Sequence, residues 1–190
     1  TASENLTNCA SHGDWKSCPR CKDRGDGDII AEVNAVIEEG VHRSAPDAKV
    51  MISDWGWRGH GDAPDIIAKL PKSVYLMSVS EWHLPIERGG VKSTVGEYSI
   101  SSVGPGPRSL AHWKVAMDLG LKTGTEIQFN NTCEIASIPY LPVLDLVAEH
   151  CNNLESQANL DALFIGWTMG GHPSPNLLIP QRFGKKPTPS

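Results

Sequence analysis

Residues 73–83 read Ser73-Val74-Tyr75-Leu76-Met77-Ser78-Val79-Ser80-Glu81-Trp82-His83. The run from Val74 to Val79 is too short for an independent helix and rich in residues that suit a pleated, half-buried surface, so it predicts a buried strand. At its end an acid, an indole and an imidazole appear together, just before the turn residues Pro85, Gly89 and Gly90. The same change from apolar to polar recurs three times. Ala48–Ser53 runs into Asp54-Trp55-Gly56-Trp57, Thr123–Phe129 into Asn130-Asn131-Thr132-Cys133-Glu134, and Leu160–Ile165 into Gly166-Trp167-Thr168. Each of the four strands therefore ends in a polar or aromatic tip.

Between these strands lie helical patterns. Residues 28–43 place Ile29, Val33, Val36, Ile37 and Val41 near helical spacing, with Glu32, Glu38 and Glu39 on a solvated face. Residues 62–70 predict a short helix capped by Asp62 and stopped by Pro71; residues 108–119 predict another, ended by Gly120; and residues 140–155 set Val143, Leu144, Leu146, Val147 and Leu154 along an apolar face. Strands alternating with helices give an α/β fold with a parallel sheet, whose ligands bind off the carboxyl ends of the strands. The stretch 84–107, punctuated by glycine and proline, predicts a long irregular loop forming one wall of a cleft. One domain is expected over residues 1–180, opened by a Cys/His-rich loop at 1–24 and followed by a tail at 181–190.

Composition narrows the function. The chain has 190 residues, 39% hydrophobic and 21% charged, enough for a real core. Its 17 basic and 22 acidic residues give a net charge of −5 with no basic cluster, so nucleic acid is not expected as a partner. No apolar run approaches the length of a membrane span and no signal peptide opens the chain, so no membrane partner is expected. Neither a G-x-S-x-G elbow, a P-loop nor a G-x-G-x-x-G turn follows a strand, which argues against serine-hydrolase and nucleotide chemistry and against an organic cofactor.

The first 24 residues lack apolar periodicity and carry Cys9, His12, Cys18 and Cys21, spaced C-x2-H-x5-C-x2-C. That set is compact enough for one tetrahedral, structural zinc, the C-x-x-C turn aiming two sulfurs at one point. A disulfide within the set, or thiols that bind nothing, satisfies the same spacing.

The segments SENLTNC (3–9) and CPRC (18–21), VNAVIEEGVHRSAPDAKVMISDWGW (33–57), LPKSVYLMSVSEW (70–82), YLPVLDLVAEHCNNL (140–154) and LDALFIGWTMGG (160–171) together resemble the C-terminal half of a bacterial (β/α)8 glycoside hydrolase domain. The group lies near the family 20 hexosaminidases and the family 163 endo-β-N-acetylglucosaminidases. The resemblance implies a partial, half TIM-type barrel in which Ser3-Glu4-Asn5 is the tip of the fourth strand and the four strands above are the fifth to eighth. It places Glu4 where such barrels carry their general acid and the Asn130–Glu134 tip where a second carboxylate or a stabilising amide belongs. Ser3-Glu4 stands where family 20 has an Asp-Glu pair, and a whole barrel needs about 250 residues. A secreted or periplasmic location follows from the same resemblance.

Glycoside hydrolysis requires a protonated carboxyl on one side of the scissile bond and an ionised one on the other. Glu81, Glu134, Glu4 and Asp54 are the acids at strand tips, and they are the candidate catalytic residues. Sugars present apolar CH faces that suit flat aromatic surface, so Trp55, Trp57, Trp82 and Trp167, with His83, Asn130 and Asn131, are the candidate substrate-binding residues. Each acid also has a local alternative. Glu81 reaches Arg88 by spacing, Glu134 can cap the following turn, and Asp54 can bond backbone amides of the Gly56 turn. The expected function is therefore hydrolysis of an oligo- or polysaccharide, and its rival is a non-catalytic, zinc-stabilised carbohydrate-binding module. Four βα units cannot close an eight-stranded barrel, so a homo-oligomer is expected if the chain is complete.

Overall fold

The computed structural model describes residues 14–57, 63–130, 137–165 and 172–182. Among them the chain forms an α/β fold built on a parallel four-stranded sheet. Helix α1 is Asp26–Ser44, strand β1 Met51–Ser53, α2 Pro64–Lys69 and β2 Tyr75–Val79. A small antiparallel pair, β3 (Pro85–Arg88) and β4 (Val91–Thr94), comes next, then α3 (Pro107–Asp118), β5 (Lys122–Ile127), α4 (Leu144–Gln157) and β6 (Ala162–Ile165). The four strands read from sequence are present in the order β1-β2-β5-β6, each shorter than its apolar run. The described residues group into two compact units, one holding 14–57, 63–79 and 111–124, the other 80–110, 125–130, 137–165 and 172–182.

In the first unit β1 and β2 pair in parallel, with Met51 opposite Tyr75 and Ser53 opposite Met77. β2 is buried along its whole length, which is why its sequence runs apolar without the alternation of a one-sided strand. Ile29 and Ile30 of α1, Ile66 and Ile67 of α2, and Ile52, Leu76 and Trp57 fuse into one apolar core. Ile67 is wholly buried there, and cutting it to alanine would cost about 2–5 kcal/mol through lost transfer energy and the cavity left behind. α1 lies on α2 closely enough that a side chain at Gly27 would touch Ile66, and Lys69 reaches back to Asp28 at 2.7 Å. Pro64 stands in the first turn of α2, and the residue at its cap is Ala63 in a left-handed conformation; the expected cap, Asp62, lies outside the described residues. α3 stops at Gly120, whose φ of 76° lets the amide of Leu121 return to the carbonyl of Ala116 at 2.9 Å and its own amide to Met117 at 2.9 Å.

The second unit corrects one expectation. The stretch 84–107 is not irregular throughout, because β3 and β4 pair antiparallel from Pro85 opposite Thr94 to Arg88 opposite Val91. Gly89 and Gly90 make the two-residue turn with φ of 57° and 79°, the mirror-image geometry that suits the twist of a hairpin and that glycine adopts without steric cost. Its base is tied to the residues just before β3: the amide of His83 donates to Val95 and that of Val95 to Leu84. The signal was a Gly-Gly pair flanked by Ile86 and Val91. Two strands of four residues, with proline opening the first, are too short for periodicity to reveal.

Candidate functional site

Among the described residues of each unit a carboxyl at a strand tip faces a helix histidine, hydrogen-bonded in the first unit and 3.9 Å away in the second. In the first unit β1 gives way to a single 3-10 turn, Asp54–Gly56, started by Ser53, whose hydroxyl accepts the amide of Trp55. The turn carries the Asp54 side chain wholly out of water. One of its oxygens, Oδ2, accepts from the hydroxyl of Ser78 at 2.5 Å and from Nδ1 of His112 at 2.6 Å. The carboxyl thus joins a network of side chains from β1, β2 and α3. The ring of Trp57 stands 6.2 Å from that of His112 and is 1% exposed.

In the second unit the strand tip itself is locked. The amide of Ser80 donates to the carbonyl of Glu126 at 3.1 Å, and the carbonyl of Ser80 accepts from the amide of Gly106 at 2.8 Å and the hydroxyl of Ser109 at 3.1 Å. Ser109 is thereby fixed in the first turn of α3 and also bonds Gly106. Glu81 follows with none of its side chain exposed, and Oε1 stands 3.9 Å from Nδ1 of His150 on α4. The other ring nitrogen, Nε2, lies 2.7 Å from the hydroxyl of Ser80. Burial pushes the His150 pKa down to about 4, because a dry ring resists taking a charge. Its ring meets Phe129 edge-on at 6.3 Å.

A second acid sits beside this cluster. Glu126 is 2% exposed and accepts from the phenol of Tyr98 at 3.2 Å. Trp82 is also buried, with the Arg108 guanidinium 4.2 Å from its ring centre. His83 is exposed, with a left-handed φ of 61° and its ring edge-on to Trp82 at 5.6 Å. Arg88 does not serve Glu81 as spacing allowed; its guanidinium bonds the carbonyl and hydroxyl of Ser101 at 3.0 and 3.1 Å.

The structure thus divides the expected residues. Glu81, Trp82 and His83 gather in the second unit, and Asp54 and Trp57 belong to the first. Trp55 is half-buried, whereas Trp57 is part of the apolar core, so its face is turned to neighbours and not to a ligand. Asn130 is engaged in holding the chain together, its amide donating to the carbonyl of His172 at 2.5 Å while Oδ1 accepts from Ser174. Glu4, Cys9, His12, Asn131, Glu134 and Trp167 lie outside the described residues. Cys18 and Cys21 bracket a turn in which the carbonyl of Cys18 accepts from the amides of Cys21 and Lys22, and Cys21 packs on the core. Among the described residues no group of three or more His, Cys, Asp or Glu side chains is arranged to hold a metal ion, and no helix is long and apolar enough to cross a membrane.

Three functional candidates, His112, His150 and Glu126, do not stand out in the sequence. The two histidines had a visible signature. In α3 the buried positions Ser109, His112, Trp113 and Ala116 follow i, i+3, i+4, i+7, and in α4 Val147, His150, Cys151 and Leu154 repeat the pattern. A histidine inside an apolar helical stripe needs a polar partner, which here is the acid at a strand tip. Comparisons of the chain with protein-family models, with curated proteins and with solved structures return no match.

Proposed function

We propose that the chain is a glycoside hydrolase segment, the C-terminal half of a (β/α)8 barrel, with Glu81 and Glu126 as its reacting carboxyls. The observation that carries this reading is that two buried acids stand on adjoining stretches of backbone: the amide of Ser80, the residue before Glu81, donates to the carbonyl of Glu126 at 3.1 Å. Hydrolysis of a glycosidic bond asks one carboxyl to protonate the leaving oxygen and another to act as base or nucleophile, and a dry surrounding separates such roles. The exposed ring of His83, two residues after Glu81 and edge-on to Trp82, offers a donor to sugar hydroxyls. The substrate is an oligo- or polysaccharide.

The test is turnover of a panel of aryl glycosides, N-acetylhexosaminides included. Glu81→Gln and Glu126→Gln should each lower kcat by orders of magnitude while saccharide binding by calorimetry survives, since an amide keeps the shape but cannot ionise. Wild-type rates in both variants would rule the assignment out.

Complete burial of Glu81 and Asp54 favours a second reading, in which both acids are structural ties and the chain is a non-catalytic carbohydrate-binding module. Saccharide binding with no turnover in the wild type would establish it. In either reading Cys9, His12, Cys18 and Cys21 hold one structural zinc, for which the Cys18–Cys21 turn supplies a compact half-site. Elemental analysis of chelator-free protein tests the metal. If the chain is complete, the same reading makes it a homo-oligomer, which light scattering across a dilution series tests.

A further inference from the structure

The second unit contains a feature that the two-carboxyl reading leaves unused. His150 stands between a hydroxyl and a carboxyl, with Nε2 at 2.7 Å from Ser80 Oγ and Nδ1 at 3.9 Å from Glu81 Oε1. All three side chains are 4% exposed or less. Behind the ring the chain passes at Gly104, where an added Cβ would lie 2.8 Å from both Nε2 of His150 and Oγ of Ser80. The contact is too close for any side chain, so this position keeps the ring and the hydroxyl together only as glycine. The amide of Asn153, one turn along α4 from His150, donates to the carbonyl of Gly104 at 3.0 Å and fixes the approach.

We propose that His150 is a positioning residue for Glu81: clamped by Ser80 and by the backbone at Gly104, its imidazole turns Nδ1–H toward the carboxyl and holds that carboxyl ionised. The proposal rests on the reading of Glu81 as a reacting acid, and it assigns Glu81 the ionised role.

The proposal requires one of the ring's two tautomers, the one with its proton on Nδ1. A ring as dry as this one stays neutral at physiological pH and carries a single N–H. The hydroxyl of Ser80 can donate to Nε2, and with that nitrogen as acceptor the ring proton is on Nδ1, facing Oε1 of Glu81. The opposite tautomer would set a lone pair against the carboxylate. At 3.9 Å the N–H acts through its dipole; catalytic contacts of this kind tighten when substrate closes the site. Among the described residues the other titratable groups near the strand tip include Glu126, with the Tyr98 phenol on it, Arg108 stacked over Trp82, His83 edge-on to Trp82, and Cys151 beside His150 on α4.

The experiment is a carbon-13 NMR titration of the glutamate side-chain carboxyls, with the Glu81 signal assigned by its loss in Glu81→Gln. His150→Gln keeps an amide near Nε2 and removes the group near Nδ1, whereas His150→Asn does the reverse. Gly104→Ala leaves both side chains in place and drives the ring off Ser80. The expected result is a Glu81 midpoint raised by about one pH unit in His150→Gln and Gly104→Ala and close to wild type in His150→Asn. A purely structural histidine would move none of these differentially. An unchanged Glu81 midpoint in folded His150→Gln and folded Gly104→Ala overturns the proposal. Should either fail to fold, Ser80→Ala, which frees the ring without adding bulk, must raise the midpoint or the proposal falls. Turnover is read on the same proteins. Loss of turnover in Glu81→Gln with no midpoint shift defeats the positioning role alone, and a midpoint shift with turnover intact in Glu81→Gln defeats the catalytic reading alone.

Discussion

Nδ1 of His112 lies 2.6 Å from Oδ2 of Asp54, and neither side chain has any surface in contact with water. The two come from a helix and a strand tip 58 positions apart, so the bond closes a long loop of chain. Ser78 donates to the same oxygen, which makes Oδ2 the junction of β1, β2 and α3. A buried carboxyl of this kind is held by its donors, and the cost of removing one is set by the group left behind.

His112→Ala should therefore destabilise the chain by about 3 kcal/mol, the penalty of leaving a buried acid short of its partner. Ser78→Ala, which leaves the histidine in place, should cost about 1 kcal/mol. Urea unfolding measures both. The double variant of Asp54→Ala with His112→Ala should lose less than the two singles added, because each single strands a group that the double removes. Strict additivity would show that the two side chains do not depend on each other.

His150 makes stability depend on pH. In the folded chain its pKa is pushed down to about 4 by burial, against about 6.5 when unfolded. Below pH 6.5 the unfolded chain takes a proton that the folded chain refuses until about pH 4, so stability is full above 6.5 and falls as the pH drops through that window. The whole effect is about 3 kcal/mol. His42 works the other way. Its pKa is raised, chiefly by the carbonyl of Ala48 and further by Glu38, so it stabilises at low pH and ceases to as pH rises through its folded value. The difference between wild type and His150→Gln in urea unfolding at pH 7 and pH 4.5 isolates the His150 part. The wild type should lose more on acidification.

Where the sequence was legible, it was so because one rule acted alone. The buried run Tyr75–Val79 had no competing reading, and Gly120 and Pro71 ended α3 and α2 through backbone constraints that no tertiary contact can override. Glu81 and Asp54 drew notice because polar residues directly after buried strands are conspicuous. Their partners were not, since His112 and His150 belong to helices 58 and 69 positions away, and pairing over that distance is decided by packing. Glu126 was hidden inside β5, where it reads as an ordinary polar residue of a strand until its burial is seen. Trp57 misled for the opposite reason: an indole at a tip looks like a sugar platform, and the core beneath α2 claimed it.

The hairpin invites a local test. Gly89 and Gly90 both have left-handed φ, and a Cβ at either would meet nothing within 4 Å, so alanine there is strained by backbone alone. Each change should cost about 1–2 kcal/mol. Because β3 and β4 are largely exposed, that cost should appear as faster amide exchange at Val95 and Ile86 and leave the urea midpoint of the whole chain nearly unchanged. An equal loss of protection in α1 would mean that the hairpin and the first core unfold together.

Cys151 offers a probe of the α4 face. Its thiol is 6% exposed, and burial, with Glu155 adding its charge, pushes the pKa up to about 11. At pH 8 only about one molecule in a thousand would then carry the thiolate, the form that attacks alkylating reagents. Cys151 nevertheless borders a cavity of about 440 Å³, lined also by Asn152, Leu178 and Arg182. Iodoacetamide labelling of the peptide containing Cys151, followed by mass spectrometry, should be slow in the native chain and should rise more than tenfold in Glu155→Gln only if the acid, not burial, dominates. Since burial is the larger cause, the expected gain in Glu155→Gln is severalfold at most, with full reactivity reached only in urea. Rapid native labelling at pH 8 would show that α4 opens to water far more often than its packing against Phe129 and Ser80 implies.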